Sequence, residues 1–310
     1  MKKKILISLI LFVLILFIVE LVLRVRYGFC DTVLMQKSNK YEYIAQPNQN
    51  RFRFQNHISY NSLSMRSSEL DSSAIKILCF GDSVLNGGVM TDQDSLATEI
   101  LSRKVSNMLN KKVQFLNISA GSWGPDNCFA YLKEKGLLNA RAIFLVISSH
   151  DAYDNMKFED IIDVHPSFPS EQYDIAIYEL WDRYLFPRIQ KLYKNKEKSN
   201  QRPLGISKRS GEDNLNSGLL NFVTFAHQKN IPLAVYLHAE KEEFEQKRYN
   251  EQGQTIIKFF QDNEIKIVKD LEHDLNYSDY RDNIHISEKG QKTMADNILK
   301  LYKKMNIPYE

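Results

Sequence analysis

The 310-residue chain is 43% hydrophobic and 25% charged, which allows one large globular domain plus appendages. With 41 basic against 38 acidic residues the net charge is only +3, so the balance gives no footing for a nucleic-acid partner. Three cysteines exclude a disulfide framework and match no zinc spacing; Cys79 and Cys128 read as core residues, and Cys30 is left over.

Lys2, Lys3 and Lys4 precede an apolar run from Ile5 to Val19, interrupted only by Ser8, and Leu21 to Leu23 extend it past Glu20. The 19 residues from Ile5 to Leu23 suffice as a helix to cross about 30 Å of hydrocarbon at about 1.5 Å per residue. No small-x-small cleavage pattern follows, and Phe29 before Cys30 is too bulky for a lipoprotein site. The three lysines and the α-amino group outweigh Arg24 and Arg26, which puts the N-terminus in the cytoplasm. Residues 1–26 are therefore expected to form a cytoplasmic tip and a single-pass transmembrane anchor, with the rest extracytoplasmic, in the periplasm or at the cell surface. A cleaved signal peptide is the alternative, and it too exports the domain.

Residues 27–74 are polar and tyrosine-rich without a sustained period, and are expected to be a linker lying along a sheet edge, Asn61 and Arg66 included. The apolar run from Ile75 to Phe80 has the composition of a strand buried on both faces; it breaks at Gly81, and Asp82 and Ser83 follow. Helical spacing covers 95–109, a strand 113–118, a helix 126–138 and a third strand 142–148, which ends in Ser149-His150-Asp151. Residues 152–215 interrupt this rhythm with an amphipathic helix over 173–193 and a basic stretch over 194–209, read as a mobile surface loop with a lid as the alternative. Alternation resumes with a helix at 215–228, strands at 233–237 and 265–271, a helix at 250–263 and a last helix at 287–305, capped by Ser287 with Glu288 in its first turn. Strand, loop and helix in repetition imply an α/β domain over 75–310: a three-layer α/β/α sandwich on a central parallel sheet of about five strands, in flavodoxin-like style.

In open α/β sheets ligands bind at the carboxyl edge, where Ser83 emerges from the first strand. A serine hydroxyl is a weak nucleophile unless an oriented base accepts its proton. Of seven histidines, His285 alone follows a carboxylate in a turn, Asp282, directly before the final helix. That spacing lets Asp282 meet Nδ1 while Nε2 faces the serine. His57, His165, His227, His238 and His273 have no such context and read as structural or surface groups, and no histidine–carboxylate spacing indicates a metal.

Gly81-Asp82-Ser83 after a short strand resembles the first block of the GDSL or SGNH hydrolases, and Asp282-Asn283-Ile284-His285 resembles their last block, D-x-x-H. The resemblance spans roughly residues 60–305, with the blocks in the family's order. It implies Ser83 as nucleophile, His285 as general base and Asp282 as its orienting partner, with no cofactor and no metal. The family's oxyanion hole joins the nucleophile's own N–H to a glycine N–H after the second strand and an asparagine after the third. Aligning Asn117 with the family's strand-end asparagine puts the glycine position at Ser122, flanked by Gly121 and Gly124. The third block reads Ser148-Ser149-His150-Asp151, so histidine replaces asparagine. His150 would donate from a ring nitrogen and bring a pH dependence that asparagine lacks, with Asp151 fixing the loop and Asp82 in a supporting role. The expected activity is removal of an acyl group, acetyl foremost, from an ester, plausibly on a cell-surface polysaccharide or glycan. The alternatives are transfer of that acyl group to a sugar hydroxyl beside a membrane partner, or an inert binding protein on the same fold.

Overall fold

The structure, a computed structural model, describes residues 2–194, 214–305 and 307. In chain order its elements are α1 (Lys2–Tyr27), β1 (Met35–Ser38), β2 (Glu42–Ala45), β3 (Gln49–Arg53), β4 (Asn56–Tyr60), β5 (Ile75–Gly81), α2 (Ser83–Asn86), α3 (Ala97–Leu109), β6 (Val113–Ser119), α4 (Pro125–Lys135) and β7 (Ala140–Ser148). There follow α5 (Ala176–Glu179), a π-helical stretch (Leu180–Leu185), α6 (Phe186–Lys194), α7 (Ser217–Lys229), β8 (Leu233–His238), α8 (Lys241–Gln246), α9 (Glu251–Asp262), β9 (Lys266–Lys269) and α10 (Glu288–Tyr302).

Five strands form one parallel sheet in the order β6-β5-β7-β8-β9, the doubly wound arrangement in which the first strand lies inside and the chain reverses direction across the sheet. Because strand side chains alternate, β5 sends Leu78 and Phe80 to one face and Ile77 and Cys79 to the other. The first face packs on residues of α4, α7 and α9, the second on residues of α3 and α10, which completes three layers. The α/β sandwich expected from the alternation is thus the observed fold. Ser287 caps α10 through Gly290 N–H, as its place before the helix implied.

Residues 27–74 are more than a linker. They contain two antiparallel hairpins, β1-β2 and β3-β4, and Tyr41, Tyr43, Ile44, Ile58, Tyr60 and Met65 join the core face that holds Phe80 and Ile118. The hairpins escape sequence reading because their turns lack the usual glycine signal. Phe54 and Gln55 both take left-handed φ between β3 and β4, a conformation side chains rarely adopt. The amphipathic helix of the inserted region is present as α5, the π-helical stretch and α6; the basic 194–209 stretch lies, beyond Lys194, outside the described residues.

Among the described residues one helix, α1, is long and apolar enough to cross a membrane, and none of its residues is buried.

Candidate active site

Ser83 is carried by the turn between β5 and α2. Gly81 ends the strand where a side chain would not fit: an added Cβ would stand 2.9 Å from the Val146 carbonyl oxygen and 3.0 Å from Leu85 Cβ. Asp82 then caps the short helix, its Oδ1 accepting from Val84 N–H at 2.8 Å. Ser83 is the first residue of that helix, so its own N–H belongs to the first turn, where no intrahelical acceptor exists.

His285 arrives from the loop before α10, 202 residues along the chain from Ser83, with Nε2 3.0 Å from Ser83 Oγ. Its Nδ1 lies 2.8 Å from Asp282 Oδ2, while Asp282 Oδ1 accepts from the N–H groups of Ile284 and His285. Burial opposes the charge on Asp282, yet these backbone bonds and the imidazole outweigh it and hold the carboxyl below its ordinary value. The hydroxyl, imidazole and carboxylate therefore form an unbroken hydrogen-bonded chain. A further tie fixes the loop: His238, at the end of β8, meets the Ile284 carbonyl through Nε2 at 2.8 Å and is itself held by Asp270 through Nδ1 at 2.7 Å. His238 fits the structural role expected of it, although its hold on the residue before His285 has no trace in the sequence beyond its place at a strand's carboxyl end.

Strand register brings the middle residues to the same edge. Gly81 pairs with Ser119 on β6 and Val146 on β7, so Ser83 and Gly121 lie equally far past one paired position. Gly121 and Ser122 are partly exposed, and their carbonyls accept from Tyr43 Oη. Gly124 is different: it is buried and its N–H donates to Asn127 Oδ1 at 2.9 Å, which removes it from the set of available donors. Asn117 is buried within β6 and bonds the Leu85 carbonyl.

His150 is 5% exposed, with Nδ1 3.1 Å from Glu240 Oε1. Its Nε2 lies 3.8 Å from Asp151 and 4.0 Å from Asp82, both too long for hydrogen bonds. Burial would lower its pKa, but Asp151, the Glu240 hydrogen bond and Asp82 together push it up to about 10. Burial pushes the Asp151 carboxyl well up too, against the pull of His150, so the charge of the pair is set jointly. Asp151 bonds Ser148 N–H through Oδ2, while its Oδ1 is buried without a hydrogen-bond partner. Asp82, His150 and Asp151 are also the one described group whose side-chain donor atoms, all within 4.8 Å of one another, have a metal-ligand arrangement, which spacing in the chain did not indicate.

Arg66 is fully buried, its guanidinium donating to the carbonyls of Asn86, Gly88 and Thr91. It braces the turn that follows α2. Sequence reading placed it in an edge segment because a clamp onto carbonyls leaves no motif.

No family model matches the chain, and no curated protein matches it. Solved structures do. A lipase/acylhydrolase from Enterococcus faecalis is similar at 11% identity, covering 76% of this chain and 98% of that one, with a TM-score of 0.45. A variant of the acetyl xylan esterase Axe2 from Geobacillus stearothermophilus is similar at 12% identity over 74% of this chain and 94% of its own, with a TM-score of 0.39. A carbohydrate acetylesterase family member from Sinorhizobium meliloti is similar at 7% identity over 74% and 98% respectively, with a TM-score of 0.38. Likeness at this level decides nothing about the site, whose reading rests on the chain's own geometry.

Proposed function

We propose that this chain is a serine hydrolase of carboxylic esters, carrying the Ser-His-Asp triad that the resemblance to the SGNH hydrolases implies. The observation that carries the reading is the continuous contact from Ser83 Oγ to His285 Nε2 at 3.0 Å and from His285 Nδ1 to Asp282 at 2.8 Å. His285 accepts the hydroxyl proton as Ser83 Oγ attacks the acyl carbonyl, and Asp282, already held ionised, stabilises the imidazolium that forms. His285 then gives that proton to the departing alkoxide, leaving an acyl-serine. Water attacks the acyl-serine with His285 again as base, and the free acid leaves.

The negative charge on the carbonyl oxygen needs donors in place beforehand. The unpaired N–H of Ser83, the N–H groups of Gly121 and Ser122, and His150 through Nε2–H fill that role. Against the effect of burial, Asp151, Glu240 and Asp82 favour the charged ring, so His150 would add positive charge as well as a donor. The Glu240 contact keeps Nδ1 occupied and leaves Nε2 for the oxyanion.

The scissile group is an acyl ester, an acetyl on an extracytoplasmic glycan being the favoured case because α1 fits a retained anchor. Retention is supported by the contacts that tie α1 to the domain, where Glu20 accepts from Ala176 and Ile177 N–H. A cleaved leader would lose them. The test is covalent labelling of the full chain with a fluorophosphonate. A phosphonyl adduct mapped to Ser83, lost in His285→Ala, supports the triad; a chain that stays unmodified while folded overturns it.

A further inference from the structure

The helical rod from Ala176 to Lys194 is turned inside out. On a helix packed against a water-soluble domain the apolar stripe faces the core and the charges face solvent. Here the inward side carries Glu179, which is fully buried against Arg53 at 2.6 Å, and Arg183, which bonds Glu179 at 2.9 Å. The outward side carries Ile175, Tyr178, Trp181, Leu185, Phe186 and Ile189, exposed at 55%, 55%, 47%, 39%, 41% and 37%. Soluble monomers rarely leave so many large apolar side chains together in water.

Where this stripe lies is fixed by α1. Glu20 interrupts the apolar run near its end, and its carboxylate accepts from Ala176 N–H at 2.8 Å and Ile177 N–H at 2.9 Å, satisfying the first orphan donors of α5. Arg24, one turn on, bonds Glu20 and also the Asp174 carbonyl. The start of the rod is therefore at the depth of Glu20 and Arg24, the residues that mark where a spanning α1 leaves the hydrocarbon. The joint is short and braced: Gly28 has φ +66 and an added Cβ there would collide with the Phe52 carbonyl, and Cys30 N–H donates to Glu179 at 2.6 Å. Tyr178 and Trp181 are the side chains that favour the headgroup region, and exposed Arg26 and Arg188 suit its phosphates.

We propose that the outward face of the Ala176–Lys194 helix is an interfacial membrane-binding surface, inserted beside α1 into the outer headgroup layer, so that the domain is held on the bilayer at two points in one orientation. The proposal rests on α1 being a retained membrane helix and is independent of the ester chemistry. The braced joint sets how the domain stands on α1, and the second contact holds the carboxyl edge of the sheet at a set height and direction above the lipid.

The chain has two tryptophans, of which Trp123 is buried and Trp181 is not. The full chain is reconstituted into phosphatidylcholine–phosphatidylglycerol vesicles whose acyl chains carry bromine near the headgroup, and emission is read on the protein that co-sediments. The expected result is loss of the Trp181 share of emission to the brominated lipid and protection of that share from aqueous iodide. The Trp123 share stays, and the lipid effect disappears in Trp181→Phe. Iodide quenching of Trp181 as free as that of tryptophan in solution would overturn the proposal. So would protection from both quenchers, which would mean that protein covers this face. If the chain does not co-sediment, the anchor reading fails and takes the proposal with it; fluorophosphonate labelling of Ser83 in the same sample reports separately on the hydrolase reading.

Discussion

At the scale of single residues, His150 shows how a side chain's meaning depends on what surrounds it. Read along the chain, it stands in a stretch that only resembles a block with asparagine at that position. In the fold it stands among Glu240, Asp82 and Asp151, and those carboxyl groups overcome the cost of burying a charge. Glu240 is 90 positions away and no spacing links it to His150, so this partnership could not be read in advance. A pKa raised from 6.5 to about 10 on folding means that the charged ring contributes stability fully below about pH 6.5 and loses it as pH rises through about 10. Urea denaturation across that window should show the stability gap between wild type and His150→Gln narrowing as the pH climbs. A gap that is constant or widens with pH would mean that the ring is not held as the cation.

At the scale of elements, the legible parts were those whose signal is local. The buried run of β5 with its glycine stop, the serine cap of α10 and the alternation of apolar segments all sit in contiguous residues, so strand, helix and sheet class followed from them. The two hairpins were missed because non-glycine residues occupy the left-handed turn positions, which the fold tolerates only with tertiary support. Phe54 has such support: its N–H donates to the Tyr27 carbonyl, and its ring lies 4.8 Å from the Arg53 guanidinium. The loop before α10 is likewise positioned from outside itself. His238 joins Asp270 to the Ile284 carbonyl, so His238→Ala leaves Asp270, which is fully buried, without its imidazole partner. Breaking a buried pair in this way costs about 3 kcal/mol, readable in urea. Ester turnover should fall together with stability, since His285 loses the brace next to it, and KM should change little because His238 does not face the acyl group. Full stability with full turnover would show that the loop holds itself.

At the scale of the whole molecule, parts distant in sequence are joined by a few buried charges. Arg53 of the β3-β4 hairpin bonds Glu179, the Gly28 carbonyl and Tyr184, and its guanidinium lies over Phe29 at 4.4 Å. One side chain thus ties hairpin, inserted helix and the end of α1 together. The sheet does the same for the chemistry: parallel strands deliver Ser83, Gly121 and His150 to one edge, and the last crossover returns Asp282 and His285 to it. The end blocks were legible because each is compact, whereas only the fold shows that the Gly124 N–H is already given to Asn127. The most direct measurement is the rate at which the purified full chain releases acetate from an activated acetyl ester, with Ser83→Ala beside wild type. Ser83→Ala should lower the rate about 10⁴-fold or more with the fold intact by circular dichroism; an equal rate in the two proteins would contradict the assignment of Ser83 as nucleophile.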